Sequence, residues 1–304
     1  MKTKTGNRPE KKTPKSDKVT VEQSGPLLNS LIEVFPQKSR SLLKAVLRDQ
    51  QVLIDDKPVT QFDHLLKVGQ TLEVLWEKSS PRHRPHGFKI VFEDEDLIVV
   101  EKPAGLLTVA TDKEKRKTAY ALLSDYVKAE HPDNKIYIVH RIDRETSGLL
   151  LFAKNEAIKH QIQETWGSTI KERIYVAVVE GVVEREGGTI TSFLNESKAF
   201  IVYSSQNPKN GQKAVTHYTT LKTGKGYSLL EIQLETGRKH QIRVHMQDIG
   251  HPVVGDTKYG SRQKTLGRLG LHAQVLAFTH PATGRMCRFD TGMPSKFQRI
   301  FSRE

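Results

Sequence analysis

The chain has 304 residues, enough for one large or two smaller domains. Its formal net charge of +13 points to a polyanionic partner, nucleic acid before an anionic membrane surface. A lone cysteine, Cys287, excludes an internal disulfide and any multi-cysteine metal site, and no apolar run approaches the ~18 residues of a spanning helix.

Residues 1–20, MKTKTGNRPEKKTPKSDKVT, hold seven Lys/Arg and no aromatic residue. Such a segment buries too little surface to offset its ordering entropy, so a disordered basic tail is expected. It has no apolar stretch of the secretory kind, and a reducing cytoplasm is the expected location.

Residues 21–76 read as a small separate domain. Leu27, Leu28, Leu31, Ile32 and Phe35 follow helical spacing, and Pro36 ends that helix. Ser39 can cap a second helix, with Leu42, Leu43, Val46 and Leu47 on its apolar face. Arg40, Lys44 and Arg48 line the opposite face at i, i+4 and i+8, a repulsive row that must be tolerated or useful. A strand at Val52-Leu53-Ile54, a turn at Asp55-Asp56-Lys57 and a strand carrying Leu72, Val74 and Trp76 on one face follow. Residues 77–87, EKSSPRHRPHG, have the composition of a linker.

From residue 88 to 304 the pattern is that of one α+β domain. Ile90-Val91-Phe92 and Leu97-Ile98-Val99-Val100 flank an acidic turn, as in a hairpin. Leu149 to Ala153 is a short apolar run suited to a buried strand. Asn155 can cap a helix. Arg173 to Val179 is a strand apolar on both faces, and Tyr227 to Leu234 is another. A helix opening after Thr236-Gly237 carries Ile242, Met246 and Ile249, puts Lys239 and Arg243 on one stripe, and stops at Gly250.

Asp143 is the first candidate for chemistry. A carboxylate ahead of a tight turn and a buried strand sits at the edge of a core, where desolvation disfavours its charge and a nearby cation restores it. In that state it can serve as nucleophile or base; the competing reading is a structural Asp–Arg pair. If the segment is extended, Arg141 shares a face with Asp143 and Arg144 points elsewhere. Arg243, early in its helix where the dipole does not favour a cation, calls for a carboxylate partner. Tyr175 lies in a buried strand, where packing alone could explain it. His240, His245 and His251 lack the spacing of a metal site, so no metal is expected.

Taken together, three segments resemble a known family. HRIDRETSGLLLFAK (140–154) is similar to the signature of RNA pseudouridine synthases of the ribosomal large-subunit type, and GRKHQIRVHMQDIGHPVVGDTKYG (237–260) to that family's second block. KPAG (102–105), the strand around Tyr175 and LHAQVLAFTHPATG (271–284) follow in the family's order. The order helix, helix, hairpin, strand in residues 21–76 resembles the alpha-L RNA-binding motif, although Asp55-Asp56 stands where relatives often have Asn-Gly.

The resemblance implies a pseudouridine synthase domain with a mixed, largely antiparallel sheet, preceded by a small α/β RNA-binding domain. It implies that Asp143 is the catalytic aspartate, Tyr175 the tyrosine packed on the target base, and Arg243 the aspartate's basic partner. Arg141 matches an arginine that helps displace the target nucleotide, and Arg40, Lys44 and Arg48 match a basic row facing RNA. Arg173 departs from the more frequent Lys two residues before the tyrosine, with charge kept. The expected reaction is isomerisation of uridine in structured RNA, large-subunit rRNA first and tRNA as the alternative, by a monomer needing no cofactor. A non-catalytic RNA binder with the same fold is the competing class.

Overall fold

The computed structural model describes residues 16–48, 51–76 and 87–302. The chain divides into two compact units, residues 1–83 and 84–304. The expected tail over 1–15 and most of the linker over 77–87 lie outside the described residues.

In the first unit, helices Leu27–Val34 and Arg40–Arg48 pack on a four-stranded sheet. The Ser39 hydroxyl accepts the Leu42 N–H at 3.2 Å, the cap expected for the second helix. That helix buries Leu43, Val46 and Leu47; Leu42, assigned to the same face, is instead exposed. The sheet order is Ser16–Thr20, Thr71–Leu75, Val52–Ile54, Lys57–Pro58. Its first strand corrects the reading of residues 16–20 as tail. Ser16–Thr20 pairs antiparallel with Thr71–Leu75, and Asp17 accepts the Trp76 indole N–H at 2.6 Å. A segment that is polar in isolation is ordered by a ladder formed with residues more than fifty positions away. Asp55 and Asp56 both take positive φ, 50° and 63°, as a two-residue type I′ hairpin turn requires. The Asp55 carboxylate accepts from Thr71 N–H and Gln70 Nε2, which compensates for the conformation.

The second unit is built on a sheet of 11 strands among the described residues. Its path runs Val202–Ser205, Gly187–Glu196, Gln212–Gly224, Tyr227–Leu234, Ile170–Glu180, Leu271–Thr279, Ser147–Ala153, Leu97–Lys102, Lys89–Glu93. Ser147–Ala153 and Leu271–Thr279 are parallel, whereas the other neighbours are antiparallel. Both faces are covered near the middle of this path. Helices Ala119–Glu130 and Gln241–Asp248 bury Leu123, Val127, Ile242 and Met246 against one face. Helix Glu156–Glu164, capped by Asn155, buries Ile158 and Ile162 against the other. That is why Ser147–Ala153 is apolar without alternation: all seven residues are buried.

Candidate active site

The segment His140–Thr146 enters the strand Ser147–Ala153 and forms one wall of a cleft of about 490 Å³. Three features hold its backbone. Lys102, buried at the end of Leu97–Lys102, donates through Nζ to Pro103 O (3.0 Å), Leu106 O (2.7 Å) and Arg144 O (3.1 Å). Burial pushes its pKa down to about 7, with Asp143 and Glu145 opposing that shift. Thr108 Oγ1 donates to Ile142 O at 2.7 Å, and Thr146 N–H to Asp143 O at 3.2 Å. Third, Gly148 has φ +114°, and a Cβ there would lie 2.1 Å from Ala273 O. Only glycine permits the parallel contact of Ser147–Gly148 with His272–Ala273.

Asp143 is thereby placed facing Arg243 from the helix Gln241–Asp248, with Arg243 Nη1 3.3 Å from Asp143 Oδ2. Arg243 is itself fixed by Asp256, whose carboxylate accepts from Nε at 2.6 Å and Nη2 at 2.8 Å. This fork-to-fork geometry leaves Nη1 for Asp143. Burial opposes the charge on Arg243, but the bonds to Asp256 and Asp143 outweigh it and raise its pKa.

His240 completes this side. Its Nε2 lies 3.8 Å from Asp143 Oδ2 and its Nδ1 2.7 Å from the Tyr259 hydroxyl, which also accepts the Val202 N–H at 3.1 Å. Burial lowers the His240 pKa to about 4, so the ring is neutral at neutral pH. His240 takes left-handed φ 54°, ψ 17° just ahead of the helix. The helix therefore starts at Gln241 rather than directly after Thr236-Gly237, and Lys239 does not share a stripe with Arg243. It pairs with Glu196.

Tyr175, in the strand Ile170–Glu180, lines the cleft; burial raises its hydroxyl pKa, against the pull of Arg173. Arg173 lies 5.3 Å from the Trp166 ring centroid, and Trp166 packs on His140 at 5.6 Å. His140 accepts the Leu151 N–H through Nε2, and burial lowers its pKa to about 3. The signature histidine is thus a neutral support for the loop.

Arg141 is exposed and lines the cleft, while Arg144 pairs with Glu145 outside it. The segment 141–143 is not a strand, so the face-sharing argument for Arg141 does not apply. The cation at Asp143 comes from a hundred residues further along. Arg40, Lys44 and Arg48 belong to the other unit, all exposed along the helix Arg40–Arg48. Among the described residues no three His, Cys, Asp or Glu side chains gather as a metal site.

The sequence pattern described as RNA pseudouridylate synthase matches residues 96–248, which hold the cleft's Asp143, Tyr175 and Arg243. Ribosomal large subunit pseudouridine synthase D of Neisseria meningitidis is 33% identical over 93% of this chain and 80% of its own. The chain belongs to the RNA pseudouridylate synthase family. tRNA pseudouridine synthase C of Haemophilus ducreyi is 36% identical over 70% of this chain and 94% of its own. The solved human RNA pseudouridylate synthase domain containing 4 superposes with a TM-score of 0.57 at 25% identity, over 69% of this chain and 90% of that one. The chain is therefore an isomerase of RNA uridines.

In this pseudouridine synthase, Lys102, Asp256 and the His240–Tyr259 pair support the site, a part that sequence reasoning did not give them; His240 entered it only as a metal candidate. For Asp256 there was a signal: a cation in the first turn of a helix needs a carboxylate, and one stands just past Gly255. Lys102 opens the KPAG segment of the family resemblance, but nothing marked it as buried, because a lysine after a strand is ordinarily solvated.

Proposed function

We propose that this synthase converts uridines of large-subunit rRNA to pseudouridine, with Asp143 as its catalytic carboxylate. The observation that carries the assignment is the convergence of Asp143, Arg243 and Tyr175 on one cleft large enough for a nucleotide base. The target base leaves the RNA stack to enter it, as chemistry on a nucleobase generally requires. The bond from ribose C1′ to N1 breaks, the base turns over, and C1′ bonds to C5; C5 gives up its proton and N1 ends with one, so the product is an isomer. Asp143 is the group that engages the uridine, and Arg243, locked by Asp256, supplies its counter-charge in a partly desolvated site. Tyr175 packs on the base and is the candidate to take the C5 proton. Arg141, exposed beside the cleft, fills the gap left in the RNA.

The rRNA assignment rests on coverage. The large-subunit relative aligns with 93% of the chain, which must include part of the small first unit. The tRNA relative aligns with 70%, a span the second unit alone can supply. We read the first unit as an alpha-L RNA-binding domain with Arg40, Lys44 and Arg48 on its RNA face, ahead of a monomeric, cytoplasmic, cofactor-free enzyme. The tRNA reading stands second, supported by 36% identity over 234 residues with the tRNA relative, against 33% over 309 with the large-subunit one.

The test is a chemical-labelling map of pseudouridine in rRNA and tRNA from cells with and without the gene, complemented by wild type or Asp143→Ala. Loss at defined large-subunit positions, restored only by wild type, is expected. Restoration by Asp143→Ala would refute the catalytic assignment, and changes confined to tRNA would transfer the substrate.

A further inference from the structure

The strands Gly187–Glu196 and Val202–Ser205 are joined by a short turn, Ser197–Ile201. Ser197 N–H donates to Ile201 O at 2.8 Å, Phe200 N–H to Ser197 O at 2.9 Å, and Ile201 N–H to Ser197 Oγ at 3.2 Å. Turns of this kind put glycine at the left-handed position. Here that position holds Phe200, with φ 60°. A bulky side chain in this conformation costs ~1–2 kcal/mol, and the ring recovers little of it, being 70% exposed. Neither folding nor burial accounts for a phenylalanine at this place.

Its surroundings do. Lys258 Nζ donates to Phe200 O at 2.6 Å, Lys239 Nζ stands 5.9 Å from the ring centroid, and Lys198 is exposed within the turn. Against these three cations stands Glu196, already paired with Lys239. The turn is also tied to the cleft. Val202 N–H donates to the Tyr259 hydroxyl, that hydroxyl bonds His240 Nδ1, and His240 Nε2 faces Asp143. An exposed aromatic face among lysines, on a turn whose backbone is hydrogen-bonded and joined through Tyr259 and His240 to the reacting position, suits a nucleobase that is unpaired and its phosphates.

We propose that the turn Ser197–Ile201 is a stacking platform for an unpaired base flanking the extruded uridine, with Phe200 against the base and Lys198, Lys239 and Lys258 along the phosphates. This rests on RNA being the substrate. The cations fit a phosphate chain, and a π-face accepts any base, so the platform orders single-stranded RNA without dictating its sequence.

The test measures anisotropy of a labelled oligouridylate and of a blunt RNA duplex of equal length, with the full-length protein. Phe200→Ala and Phe200→Gly should each weaken oligouridylate binding by about 5- to 150-fold, the ~1–3 kcal/mol of one stacked base, and leave the duplex unaffected. Phe200→Trp should retain binding. Because glycine suits the left-handed position, Phe200→Gly should melt no lower than wild type, which separates a missing stack from a damaged fold. The log–log salt slope should stay constant in Phe200→Ala and fall by ~0.7 in Lys198→Ala. Wild-type affinity in Phe200→Ala, equal losses on duplex and single strand, or no wild-type binding to oligouridylate would each overturn the platform. Pseudouridine formation by wild type is scored separately, so failure of the enzymatic reading is seen independently.

Discussion

The two units handle charge in opposite ways. In the first, Arg40, Lys44 and Arg48 stand exposed on a helix whose other face is Leu43, Val46 and Leu47. In the second, Lys102, Arg243, Asp256, His245 and His272 are all buried, each with hydrogen-bonded partners. An exposed cation is cheap and acts through its field, so neighbours matter little to it. A buried one is costly unless every partner is in place, so it fixes geometry and depends on it. The same residue types are therefore left to solvent along the first unit's helix and held by fixed partners around the second unit's cleft.

That contrast can be broken at its strongest point by Gly148→Ala. A Cβ there meets the backbone of Ala273, which cannot give way, so a loss above about 4 kcal/mol and little soluble protein are expected. A folded variant with a near-native melting temperature would show that the two strands need not touch. Asp256→Asn is next. It leaves a buried guanidinium with Asp143 as its one carboxylate partner among the ion pairs described, and about 3 kcal/mol of stability should go, together with most of the turnover. Urea unfolding alongside a pseudouridine assay reads both; full activity would remove Asp256 from the support of the site.

Acidification tests the buried histidines. Burial lowers the folded pKa of His245 and His272 to about 4, from an ordinary 6.5. Between those values the unfolded chain binds more protons than the folded one, so stability is full above pH 6.5 and falls as pH drops towards 4. Each ring removes on the order of 2 kcal/mol of stability at pH 4.5. His245→Gln should shrink the difference in melting temperature between pH 7 and pH 4.5, and an unchanged difference would argue against a neutral buried ring. The smallest stability effect belongs to the exposed row. Replacing Arg40, Lys44 and Arg48 with Ala should leave melting within ~0.5 kcal/mol of wild type, while the salt slope of RNA binding falls by ~0.7 for each phosphate no longer neutralised. A constant slope would make the row a solvated face only.

What could be read from the sequence follows the same division. The caps at Ser39 and Asn155, the strand Tyr227–Leu234 and the stop at Gly250 are local: each depends on residues a few positions away. Asp143, Tyr175 and Arg243 were visible because their segments resemble a family, and they do line one cleft. Hidden features were those made by distant partners. The strand Ser16–Thr20 exists through Thr71–Leu75, Lys102 is buried by the loop it bonds, and the helix starts only at Gln241, behind a left-handed His240 that bonds Tyr259. Helix Ala119–Glu130 went unread although its signals are local: Thr118 caps it, and its buried Ala119, Leu123, Tyr126 and Val127 keep helical spacing.

The strand Leu271–Thr279 lies in the middle of the sheet although it follows Ser147–Ala153 by more than a hundred residues. Its two-residue parallel contact with Ser147–Gly148 secures the end of the loop that aims Asp143. During synthesis the loop therefore waits for more than a hundred further residues before its backing strand exists. A nascent chain can hold Asp143, Tyr175 and Arg243 and still lack the strand that secures the loop, so the geometry of the cleft waits for Leu271–Thr279 rather than for the signature motif.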